Sequence, residues 1–87
     1  MLHLPERLTQ TETPPALKGL CAQIDALPQG GAVVIDGQAL GHFDSSALGL
    51  LLSCRRHAQA HGRAFQTQAL PARLLRLAKL YGLSECI

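Results

Sequence analysis

The segment Ala32-Val33-Val34-Ile35 constrains the fold of this chain more than any other. It is a short, unbroken apolar run rich in β-branched residues, preceded by Pro28-Gln29-Gly30-Gly31 and followed by Asp36-Gly37. That pattern predicts a strand buried on both faces. A helical stripe stands on each side of it. Before it, Leu17, Leu20, Cys21, Ile24 and Leu27 recur at steps of three and four, behind Pro14-Pro15 and with Thr13 as the expected N-cap. After it, Ala47, Leu50, Leu51, Cys54, Ala58 and His61 share one helical face that Gly62 closes. A strand set between two amphipathic helices points to crossover connections and a parallel sheet.

The remaining segments extend the same alternation. Leu2, Leu4 and Leu8 mark an extended start, and Ala64–Thr67 reads as a weaker strand with Phe65 and Thr67 on one side. Leu70-Pro71 opens a third helix whose inner stripe is Leu70, Leu74, Leu77, Ala78 and Tyr81, with Gly82 as its stop. Gln38–Phe43 is expected to be an irregular loop. The predicted fold class is therefore α/β, a small mixed or parallel sheet with amphipathic helices mainly on one side, because right-handed crossovers along an advancing strand order share a face. All 87 residues fit one domain, residues 1–87. With 47% hydrophobic but only 3% aromatic residues, its core must be aliphatic.

Composition excludes several functions. Eight Lys plus Arg against six Asp plus Glu fall short of a nucleic-acid footprint, and few aromatics are present to stack on single-stranded bases. Cys21, Cys54 and Cys86 are odd in number and widely spaced, against a disulfide framework or zinc ribbon. No run reaches the ~20 apolar residues of a membrane span, and the first residues do not resemble a signal peptide. The expected location is the cytoplasm.

Three constellations invite a chemical reading. Asp36, His42, Asp44, Ser45 and Ser46 contain the residue types of a nucleophilic triad, but Asp44 and Ser45 stand where helix capping alone selects them, and no Gly-x-Ser-x-Gly elbow is present. No enzymatic activity is expected. Cys54, His57 and His61 have a helical zinc-ligand spacing, yet the same spacing suits core and boundary positions, and no second Cys/His cluster supplies a fourth ligand. No metal or other cofactor is expected. Arg73, Arg76 and Lys79 lie opposite the apolar face of the third helix and form at most a weak contact site for anionic surfaces. The turn that opens the second helix remains, since a serine there can cap the helix, meet a partner or carry a phosphate. Gly41 and Gly49 flank it with minimal side chains.

Val33-Val34-Ile35-Asp36, followed by Phe43-Asp44-Ser45-Ser46-Ala47-Leu48-Gly49 and a helix ending at Gly62, resembles the STAS domain of bacterial anti-sigma factor antagonists. Leu77-Ala78-Lys79-Leu80-Tyr81-Gly82-Leu83 is similar to the last helix of the MlaB-type STAS subunits of ABC phospholipid transporters. With the turn read above, the resemblance, which carries the family's contact position onto Ser45, gives an expected partner-binding segment of His42, Asp44, Ser45, Ser46, Ala47, Leu48 and Gly49. It also implies an MlaF-like cytoplasmic ABC ATPase as partner, which would hold the chain at the inner membrane. The alternative it carries is an anti-sigma factor antagonist, with an anti-sigma kinase as partner and phosphorylation at Ser45. Three departures accompany it. The usual first edge strand is absent, which leaves an edge able to pair with a second copy. Glu6 and Ala47 stand where glycines are common, and the Ala47 methyl is expected at the docking turn.

Overall fold

The computed structural model describes residues 1–87. In chain order its elements are β1 (Leu2–His3), β2 (Arg7–Leu8), α1 (Thr13–Asp25), β3 (Val33–Asp36), β4 (His42–Phe43), α2 (Ser46–Ala60), β5 (Phe65–Gln68) and α3 (Ala72–Leu80). β1, β3 and β5 form a parallel sheet in that order. Helix α1 crosses from β1 to β3 and α2 from β3 to β5 while the order advances one way, so right-handed connections place both helices on the same face.

Register determines which face is dry. Leu2 pairs with Ile35, while Val33 and Ile35 pair with Phe65 and Thr67, so these side chains point together toward the helices. Leu2, Val33 and Ile35 join Leu20 and Ile24 of α1, Leu50, Leu51, Cys54 and Ala58 of α2, and Leu74 and Ala78 of α3 in one buried cluster. The other face carries His3, Gln66 and Gln68, all exposed, and a half-buried Val34. β3 itself is buried or half-buried at all four positions, while its neighbours on that second face are exposed and polar. Asp36 belongs to β3 and lies on that polar face, where Gln68 Nε2 donates to it at 3.0 Å and the Gln38 amide at 2.7 Å. These two bonds hold its carboxyl below the usual range.

The expected loop over 38–43 contains a strand. β4 pairs in parallel with β2, Arg7 opposite His42 and Leu8 opposite Phe43. Between the larger sheet and this pair, the connection after β1 uses residues 4–6 and the one after β3 uses 37–41, so the longer side bulges out. Pro5 has no amide to continue a ladder, and the Glu6 carbonyl accepts from both Gly41 and His42, at 2.9 and 3.0 Å. A two-residue strand has too little periodicity to be visible in the sequence.

Helix ends differ from expectation in an instructive way. Thr13 does not cap α1; its hydroxyl donates to the Thr9 carbonyl. The Glu12 carboxylate instead reaches back to the amide and hydroxyl of Thr9, one half of a capping box spelled Thr9-Gln10-Thr11-Glu12. At the other ends of α2 and α3, Gly62 and Gly82 both adopt φ +70°. There the amides of Arg63 and Leu83 return to the carbonyls of Ala58 and Ala78, at 2.9 and 2.7 Å. His61 and Tyr81, both assigned to inner stripes, are exposed, because each sits at the residue where its helix stops and turns away from the core. No helix is long and apolar enough to cross a membrane.

Candidate docking site at the start of the second helix

The short β2–β4 pair delivers the chain to the N-terminus of α2, and Asp44 fixes it there. Its Oδ1 accepts from the Ser46 amide at 2.8 Å and its Oδ2 from the Gln10 amide at 3.0 Å, which ties the start of α2 to the turn before α1. The Ser46 hydroxyl and amide, with the Gln10 amide, hold the Asp44 carboxyl below the usual aspartate range. Asp44 therefore serves as the helix cap, and the Ser45 side chain makes no capping bond.

Ser45 and Gly49 are exposed on the first turn of α2, with His42 exposed on the preceding strand and Ser46 half-buried. Ala47 and Leu48 are not presented in the same way. Ala47 is fully buried and Leu48 is 3% exposed, so both face the core. The Ala47 methyl does not stand in a partner's path, which corrects that expectation: the helical step of 100° turns position 47 inward while 45 and 49 stay outside. A Cβ built on Gly49 meets nothing within 4 Å.

Beside this turn lies a shallow, mostly apolar groove of about 340 Å³, lined by Ser45, Leu48, Gly49 and Leu52 of α2 together with Tyr81 and Leu83. Tyr81 stands at the end of α3, and the left-handed Gly82 reverses the chain to bring Leu83 beside it. Tyr81 remains 60% exposed and the adjacent Leu80 80%. Leu52, Tyr81 and Leu83 were not among the expected site residues. The sequence did single out Leu77–Leu83, and the fold places the end of that segment against Ser45. Elsewhere on α3, the Arg73 guanidinium stacks 5.2 Å from the Phe43 ring centre, which leaves Arg76 and Lys79 as the unstacked cations of α3, beside Leu80.

The other constellations come apart. Neither serine hydroxyl bonds to a histidine, so no triad is assembled among His42, Asp44, Ser45 and Ser46. Cys54 is buried in the core, where desolvation, with a smaller contribution from Cys21, pushes its thiol up to about 12. It is separated from His57 and His61, which meet Asp25 of α1 instead.

The family model described as MlaB, STAS domain, matches residues 3–87. The chain belongs to the MlaB STAS domain family. STAS domains are typically regulatory or accessory modules, and the α/β fold with three helices and parallel strands is consistent with a STAS-type fold. No curated protein gives a significant match to the chain.

Proposed function

We propose that this STAS domain is a non-enzymatic subunit of an ABC-type phospholipid transporter, and that it binds the transporter's cytoplasmic ATPase through the groove between Ser45, Gly49 and Tyr81. Family membership supports the transporter class. The observation that carries the docking surface is the convergence of exposed Tyr81 and Leu80 with a first turn bare of large side chains. Small residues allow close approach, while a fixed aromatic supplies contact area at little entropic cost. The chain would act at the cytoplasmic side of the inner membrane, held there by its partner, and would support ATPase assembly in the maintenance of lipid asymmetry.

The phosphorylation reading shares the same serine but has weaker support. The Ser46, Ala47 and Leu48 amides are already bonded to Asp44 Oδ1, the Asp44 carbonyl and the Ser45 carbonyl. They are therefore not free to cradle a phosphate. Purification of the tagged chain from its native host should recover an ABC ATPase, and Gly49→Arg should remove it while the circular dichroism spectrum stays unchanged. Recovery of an anti-sigma kinase without an ATPase, with phosphate on Ser45 by intact mass, would establish the alternative.

A further inference from the structure

The opposite end of α2 carries a second cluster, independent of the docking groove. Asp25 is the last residue of α1, and His57 and His61 sit one turn apart at the end of α2. His57 Nε2 lies 2.8 Å from Asp25 Oδ1, and His61 Nε2 lies 3.8 Å from the same oxygen. One ligand atom from each residue falls within 4.8 Å of the other two. We propose that Asp25, His57 and His61 bind a zinc-class divalent ion that clamps the C-terminal ends of α1 and α2 together.

Three features support this assignment. In a tetrahedral site with metal–ligand bonds of about 2.0–2.2 Å, ligand atoms stand roughly 3.3–3.6 Å apart. The two distances to Asp25 Oδ1, 2.8 and 3.8 Å, fall on both sides of that edge, and no pair of ligand atoms is more than 4.8 Å apart, so side-chain rotation would close the set around an ion. The tautomer of His61 is the second feature. Its Nδ1 lies 3.0 Å from the His57 carbonyl oxygen, which can only accept, so Nδ1 carries a proton and Nε2 is the nitrogen left to ligate an ion. At His57 the ion takes the place of the Nε2 proton, which moves to Nδ1. The third feature is the field, because two helix C-termini converge here and their terminal carbonyls favour positive charge. The other cation at the end of α1, Arg63, is committed to the carbonyls of Leu27, Pro28 and Gly31.

The ligand chemistry selects the ion. Two imidazoles and one carboxylate suit zinc and its neighbours rather than magnesium or calcium, which prefer oxygen. His57 is 26% exposed, and His61 and Asp25 are each 52% exposed, so an ion can enter and water completes its coordination.

The test uses the full chain without a histidine tag. With ~100 µM Zn²⁺ the melting temperature should rise by at least about 5 °C, whereas Mg²⁺ should leave it unchanged. Calorimetry should give one ion per chain. His61→Ala and Asp25→Asn should each abolish the shift while retaining the zinc-free circular dichroism spectrum, and Cys21→Ser/Cys86→Ser should keep it. A shift that survives in the His57→Gln/His61→Ala double variant, or disappears in the cysteine variant, would overturn the site. So would the absence of any zinc effect on the parent chain.

Discussion

The two ends of α2 are built from different materials, and the contrast explains what each can do. At its N-terminus an aspartate from outside the helix satisfies the first amide, leaving Ser45 unbonded and Gly49 bare beside an apolar groove. At its C-terminus the helix presents two imidazoles to a carboxylate on another helix, with no large apolar side chain among them. In the proposed roles, one end meets a macromolecule with shape and apolar area and the other meets an ion with ligand atoms. Helix polarity reinforces the division, since the dipole is positive at the first end and negative at the second.

The division depends on a rigid middle, and Leu51 tests it most severely. Leu51 is fully buried between the two ends. Leu51→Ala should cost about 2–5 kcal/mol in urea unfolding through lost transfer energy and an unfilled cavity. Zinc binding and partner binding should weaken together in that variant. A cost below about 1 kcal/mol would show that α2 does not join the two ends rigidly.

Tyr81→Ala sharpens the contrast from the docking side. Because Tyr81 is exposed, its truncation should leave the melting temperature nearly unchanged and weaken ATPase binding by at least about thirtyfold, the scale of an aromatic hot spot. Surface plasmon resonance with the purified partner measures this, and unchanged affinity would move the interface elsewhere. The zinc response should persist.

Asp44→Ala should lower the melting temperature by roughly 4–8 °C at neutral pH, the shift expected when a helix cap is lost in a domain of this size. Since the folded-state pKa of Asp44 is lowered from its ordinary 3.8, its stabilisation is fully present above that value and is lost as pH falls through the lowered one. The difference between parent and variant should therefore disappear on acidification. A difference that persists through the acid range would show that packing, rather than the carboxylate, is responsible.

The smallest effect is expected at Ser45. As its side chain caps nothing, Ser45→Ala should change stability by less than about 0.5 kcal/mol, whereas a capping serine would cost about 1 kcal/mol. Chemical denaturation separates the two.

Periodicity made the helices and the sheet face legible. The stripes of α1 and α2 deliver Leu20, Ile24, Leu50, Leu51 and Cys54 to the core as their spacing requires, and Phe65 and Thr67 share a face. Short or terminal features were less visible. β2 and β4 exist only because they pair with each other, and Tyr81 leaves its stripe because Gly82 turns the chain. Among the expected docking residues, the chain order identified the turn, but the helical phase sorted exposed Ser45 and Gly49 from buried Ala47 and Leu48.

The sequence by itself determined the α/β class, the helical stripes, the resemblance to STAS domains and the turn at Asp44-Ser45-Ser46, because each is written in residues close along the chain. Only the tertiary structure decided that Tyr81 and Leu83 complete the groove and that Asp25 meets His57 and His61. Those juxtapositions join residues 36 positions apart or, for Asp25 and His57, 32 apart on different helices. Such contacts follow from the one-sided packing of helices on the sheet, where no local periodicity records which helix ends meet.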